Sequence, residues 1–159
     1  MRNVFVFTLG ALAGAALIGP ISAQVGRSHG LNHVGISVAD YDEAMRFYTG
    51  TLGLSEAYTI RRPDGSALLT YLQLNRDTFI ELIPAGPGQP TGITHFGVEV
   101  GDIDAEVAAI RASGIDVPDA GLTPANARFF RMRDRDGVQI EVMEFGPESL
   151  QRKAMEAWH

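Results

Sequence analysis

Asn32-His33-Val34-Gly35-Ile36-Ser37-Val38-Ala39-Asp40 returns 62 residues later as Thr94-His95-Phe96-Gly97-Val98-Glu99-Val100-Gly101-Asp102. His, Gly, Val and Asp recur at matched positions. A second pair, Phe79-Ile80-Glu81-Leu82 and Gln139-Ile140-Glu141-Val142, lies at an offset of 60. Two matches at nearly one offset indicate an internal duplication of about 60 residues.

The pattern around these anchors is the same in both halves. Leu31–Val38 alternates and is rich in β-branched residues, which reads as a strand. Asp40 is placed to cap a helix carrying Ala44, Phe47 and Tyr48 as an apolar stripe, with Gly50 and Gly53 ending it. Ser55–Arg62, Ala67–Asn75 and Thr78–Pro84 read as strands, the first two joined by the turn Pro63-Asp64-Gly65-Ser66. After the Gly/Pro-rich linker at 85–92 the order restarts: strand Ile93–Val100, cap Asp102, helix to Gly114, a weak segment at Val117–Pro124, then strands Ala127–Arg133 and Val138–Phe145. A sheet with one helix per half makes the class α+β. Module 1 spans about 31–84 and module 2 about 93–145. Pro147–Trp158 reads as a C-terminal helix, within a tail at 147–159, that packs on the domain or on a second subunit.

The 159 residues are of ordinary globular composition, 45% hydrophobic and 20% charged. With 13 Lys+Arg against 19 Asp+Glu, the formal charge of −6 argues against a basic nucleic-acid-binding surface. Cys is absent, which removes disulfides, thiol nucleophiles, zinc fingers and iron–sulfur clusters; a metal site must use His, Asp and Glu. Met1–Ala23 reads as a secretory signal, with Arg2 before an apolar run, a Gly19-Pro20 break and small residues before Gln24. It implies export to the periplasm; the other reading is a membrane anchor over residues 4–23. Residues 24–29 read as a short leader before a domain at 30–146.

The duplication places His33 and His95 on the first strand of each half, and Glu81 and Glu141 on the last. Strand alternation sets His33 with Gly35 and Ser37, opposite the apolar Val34, Ile36 and Val38, and the other three obey the same parity. A lone His on a strand is ordinarily exposed or a hydrogen-bonded core residue. Four ionisable groups gathered at equivalent positions are costly to bury unless they share a partner. A divalent ion satisfies two imidazoles and two carboxylates together, and the donors suit Ni, Zn, Co, Mn or Fe. His29 and His159, in terminal segments, are incidental.

The motifs from His33 to Asp40, Phe47-Tyr48, Leu52-Gly53-Leu54, His95 to Val98 and Asp136 to Val142 resemble the vicinal oxygen chelate superfamily over roughly Leu31–Phe145. This superfamily contains glyoxalase I, methylmalonyl-CoA epimerase, extradiol dioxygenases and the fosfomycin and bleomycin resistance proteins. The resemblance implies two tandem βαβββ modules forming a cupped mixed sheet around one site, and commonly a homodimer. The His, Glu, His, Glu order, at spacings of 48, 14 and 46, is most similar to glyoxalase I. It implies His33, Glu81, His95 and Glu141 as metal ligands, with Glu141 as the base in a lyase or isomerase reaction through a metal-stabilised enediolate on a small oxygenated substrate. Ser37 and Ala85 stand where the bacterial enzyme has glutathione-contacting Arg and Asn, so a glutathione-linked substrate is not implied. Methylmalonyl-type epimerases usually have Gln at the position of Glu81. Two other readings stay open. One is an Fe(II) extradiol dioxygenase using His33, His95 and Glu141; the other is a non-catalytic, ligand-sequestering protein of the bleomycin-resistance type.

Glu99 occupies the repeat position of Ser37 and is a candidate for a substrate contact or second base in the cup. Among Arg61, Arg62, Arg128, Arg131 and Arg133, the alternation of Arg131 and Arg133 puts two cations on one strand face, suited to an anionic substrate.

Overall fold

The computed structural model describes residues 28–159; the expected signal segment lies outside them. The chain forms β1 (Ser28–Val38), α1 (Tyr41–Met45), β2 (Ser55–Arg61), β3 (Ala67–Asn75), β4 (Thr78–Pro84), β5 (Gly92–Val100), α2 (Ile103–Ala112), β6 (Gly121–Leu122), β7 (Arg128–Arg133), β8 (Gln139–Glu144) and α3 (Leu150–Glu156). Asp40 and Asp102 cap α1 and α2, each accepting a backbone N–H three residues on. Ser28 and His29, read from sequence as leader, instead begin β1, where Ser28 lies opposite Val100 of β5. Among the described residues no helix is long and apolar enough to cross a membrane.

The eight strands form one curled, mixed sheet in the order β2-β3-β4-β1-β5-β8-β7-β6. Each module is a four-stranded unit whose first and last strands run parallel, β1 with β4 and β5 with β8. The modules meet where β1 and β5 pair antiparallel. All four anchor residues therefore sit on the four central strands. Because β1 and β5 run in opposite directions, repeat-equivalent residues are related by an approximate two-fold.

The packing around α1 departs from the apolar stripe read in the sequence. On β1, Val34, Ile36 and Val38 are only half-buried, whereas His33, Gly35 and Ser37 on the opposite face are buried. The reason is α1. It is a short helix with no buried residue, it continues into a single wider π-type turn over Arg46–Thr51, and Phe47 stays 49% exposed. Its main anchor is polar, with Tyr41 Oη 2.6 Å from Thr70 Oγ1.

The best-buried side is the concave one. Tyr71, Phe79, Ala127, Met143, Phe145 and Met155 form its apolar core, so α3 packs against the domain through Met155. α3 is pinned there by Ser149, which caps it, by Gln73 Nε2 donating to Ala154 O at 3.1 Å, and by an ion pair from Arg152 to Glu99 at 2.8 Å. A second core cluster on the outer face packs Ile103 and Val107 of α2 against Val100, Val117, Phe130 and Val142.

Candidate metal centre

Cross-strand register explains the repeated His-x-Gly. His33 lies opposite Gly97, and Gly35 opposite His95. A Cβ built on Gly35 would lie 2.0 Å from His95 Cε1, and one on Gly97 would lie 2.1 Å from His33 Cε1. Each glycine is thus the floor on which the other module's imidazole rests, a close approach only glycine permits.

The pairing slips by one residue at Asn32 on β1 and again at Thr94 on β5. These bulges fall immediately before each His and let the bulged side chain reach the ring it precedes. Asn32 Oδ1 contacts His33 Nδ1. Thr94 donates its hydroxyl to Gly35 O at 3.1 Å, and its oxygen lies 2.9 Å from His95 Nδ1. Both rings thereby give their Nδ1–H to an oxygen and turn Nε2 inward, the arrangement that orients metal-binding histidines. Sequence reasoning missed this pair. The signal was present: Asn32 and Thr94 are both polar and occupy one repeat position.

At the centre the two Nε2 atoms stand 3.0 Å apart. Glu81 Oε2 is 2.9 Å from His95 Nε2 and 3.8 Å from His33 Nε2, yet has no aligned hydrogen bond, leaving a buried carboxylate oxygen unsatisfied. Glu141 completes the set, with Oε2 3.6 Å from His33 Nε2 and Oε1 3.8 Å from His95 Nε2. His33, Glu81 and His95 each offer one ligand atom within 4.8 Å of the other two, so these three buried residues could hold a metal ion. Bonds of about 2.1 Å put neighbouring donors roughly 3.0–3.4 Å apart; the trio's separations of 2.9 and 3.0 Å are close to this, and the third, 3.8 Å, is longer. Glu141 stands beside the trio and is also bound by Arg131, whose Nε is 2.6 Å from Oε1.

Burial, then the neighbouring His95 and Arg131, push the His33 pKa down to about 3, so this ring is a neutral donor throughout the physiological range. Burial raises the Glu81 carboxyl, outweighing the pull of His95. Burial acts to lower His95, but the close approach of the Glu81 carboxylate and the charge of Glu141 prevail and raise it. Both shifts favour the protonated forms of these two groups, with which a cation would compete.

The other predicted residues part company. Glu99 is buried but lies toward the α3 end of the cup, because β5 runs opposite to β1; Ser37 lies at the other end. There Glu99 receives the ion pair from Arg152. Arg131 is half-exposed, its guanidinium 5.1 Å from the centre of the Phe129 ring. Arg133 shares that strand face but ties down its hairpin, donating to Gly137 O at 2.7 Å. Arg61 and Arg62 staple the Pro63–Ser66 turn, and Arg128 pairs with Asp104 at 2.6 Å.

Two spaces adjoin the site. An open groove of about 600 Å³ runs past Ser37, His95, Arg131, Arg133 and Gln139. A narrower chamber of about 90 Å³ lies against Glu81 and Glu141, walled by Tyr58, Tyr71 and Phe129 and bordered by Gln151 of α3. Arg131 borders both. Tyr58 and Gln151 were not singled out by sequence.

Comparison with known proteins agrees with this architecture. The chain is 31% identical over 128 residues to the ethylmalonyl-CoA/methylmalonyl-CoA epimerase of Cereibacter sphaeroides, covering 70% of this chain and 95% of the relative. It is 29% identical over 122 residues to the uncharacterized protein YaeR of Escherichia coli K12, covering 72% and 95%. The crystal structure of methylmalonyl-CoA epimerase from Mycobacterium tuberculosis superposes with a TM-score of 0.65 at 28% identity, covering 76% of this chain and 91% of that one. Residues 30–142 match the Glyoxalase/Bleomycin resistance protein/Dioxygenase superfamily, and the chain belongs to that family, the vicinal oxygen chelate fold.

Proposed function

We propose that this protein is a metal-dependent isomerase or lyase that moves a proton at a carbon next to a carbonyl group. One observation carries the reading: two imidazole Nε2 atoms and an unsatisfied buried carboxylate converge within 2.9–3.8 Å, with a second carboxylate alongside. His33, Glu81 and His95 are the residues that would hold a divalent cation, with Glu141 as a fourth ligand or as the base. A cation there supplies a Lewis acid for the substrate's oxygen as negative charge develops on it. Glu141 takes the proton. Its Oε1 is held by Arg131, which leaves Oε2 as the oxygen that receives it and fixes the direction from which it acts. The proton then returns to a neighbouring atom or to the opposite face. The epimerase relatives support a reaction of this type. The exported, periplasmic setting and the pairing of two subunits, both read from sequence, belong to the same proposal.

The test is proton exchange followed by NMR in D₂O, with methylmalonyl-CoA and hydroxyacetone as probes and the metal-loaded protein as catalyst. Glu141→Gln is expected to retain metal and lose exchange at the carbon next to the carbonyl by about a hundredfold or more. Exchange unchanged in that variant would remove Glu141 as base. A second reading takes His33, His95 and Glu141, two imidazoles and one carboxylate, as the ligands, with Glu81 off the metal, a set also used for Fe(II) and O₂ chemistry. Oxygen uptake with catechol by the Fe(II)-loaded protein, and no proton exchange, would favour it.

A further inference from the structure

The chamber behind Glu81 and Glu141 holds three of the four buried side-chain polar atoms that lack a hydrogen-bond partner among the described residues. Tyr58 Oη, Gln151 Oε1 and Glu81 Oε2 are all unsatisfied, and all three residues line it. Leaving such atoms bare is costly, so an unsatisfied set on residues that line one space points to a ligand that completes it. The carboxylate is accounted for by the metal reading. The phenol and the carboxamide are not.

Both are held in place. Gln151 is 1% exposed and hydrogen-bonds Tyr71. Its helix is fixed by the Arg152–Glu99 ion pair, by Met155 in the concave core, and by Leu150 N donating to Ala125 O at 2.9 Å. Tyr58 is stacked on Tyr71, ring centres 4.9 Å apart and 13° from parallel. A pair immobilised this way is preorganised to read a group that enters the chamber.

Their chemistry names the group. Gln151 Oε1 accepts, so it needs a donor, and Tyr58 Oη–H is free to donate, so it needs an acceptor. A carboxylate fails the first requirement and a hydrocarbon fails both; a hydroxyl meets both. Ile60, Leu69, Phe129 and Met143 make much of the remaining wall apolar, and Thr123 and Arg131 also border it. A volume of about 90 Å³ equals roughly three waters, room for about five heavy atoms.

We propose that this chamber is the specificity pocket for a compact hydroxylated end of the substrate, an α-hydroxycarbonyl fragment whose hydroxyl is read by Tyr58 and Gln151. The assignment rests on the reaction site proposed above, and it adds a substrate class and two specificity residues, one supplied by the C-terminal helix.

The experiment is NMR titration of the full mature chain. Zn²⁺ is titrated first, read on the His33 and His95 ring signals. Hydroxyacetone or 2-butanone, nearly equal in size and differing by a hydroxyl, is then added, read on the Gln151 side-chain amide and the Tyr58 ring. Hydroxyacetone is expected to bind at least tenfold tighter than 2-butanone and to shift both signals. Tyr58→Phe, which removes one oxygen and keeps the stack, and Gln151→Leu are each expected to reduce that preference about tenfold, with Zn²⁺ affinity unchanged. Failure of Zn²⁺ to reach the histidines overturns the reaction site. Zn²⁺ binding without a hydroxyl preference, or with one that survives both substitutions, overturns the chamber assignment alone.

Discussion

Gly97→Ala adds one methyl group at a point where the structure leaves no space. The new Cβ would sit 2.1 Å from His33 Cε1, 2.2 Å from His33 Nδ1 and 2.7 Å from Asn32 Oδ1. Ordinary carbon contacts are about 3.5–4.0 Å, so the ring must retreat by roughly 1.4 Å or more. It has nowhere easy to go. His33 has no exposed surface, and its ring lies 5.4 Å from Tyr71 and 5.1 Å from His95, centre to centre. Overpacking of this kind costs about 1–3 kcal/mol, and we expect the upper half of that range by urea unfolding. Metal affinity is expected to fall about 100-fold, because ligand positions must hold to within about 0.2 Å. Gly50→Ala is the control, since its Cβ would meet nothing within 4 Å. It is expected to shift stability by less than about 0.5 kcal/mol. A double-mutant cycle separates the clash from other effects: with His33→Ala present the methyl group has room, so a coupling of about 2 kcal/mol is expected. A Gly97→Ala protein as stable as the wild type, with additive effects in the cycle, would refute the packing argument.

Further outcomes follow from the same geometry. Metal affinity, measured by competition between pH 8 and pH 5, should fall on acidification. The proton on His95, whose affinity for it is raised, must leave before a cation binds, and each such proton costs about tenfold per pH unit. His33, pushed down to about 3, should contribute nothing to that slope. Met155→Ala should destabilise by about 2–5 kcal/mol in chemical denaturation, because this side chain is 2% exposed within the concave core.

The duplicated architecture was legible because the sheet centre demands a repeated pattern: an imidazole, a glycine to receive its partner, and a capping aspartate. Where one strand or turn decides the outcome, the sequence was a good guide, as with Ala67–Asn75 and Thr78–Pro84. What it could not convey was direction. Ser37 and Glu99 share a repeat position, but antiparallel pairing of β1 and β5 sends them to opposite ends of the cup. The first helix misled for another reason. Its apolar stripe has the spacing of a buried face, yet the wider turn at Arg46–Thr51 breaks that spacing and leaves Phe47 half-exposed. Tyr58 and Gln151 had no motif to reveal them; they matter because an edge strand and a terminal helix meet over the same chamber.

The account stands on the convergence of His33, Glu81 and His95 on one cation. Elemental analysis of the purified protein, from cells grown with Ni, Zn, Co, Mn and Fe supplied, tests it most directly. One equivalent of a single divalent metal in the wild type, and its loss in His33→Ala and Glu81→Ala variants that remain folded, is the predicted result. A wild-type protein without stoichiometric metal, or variants that keep it, would contradict the account.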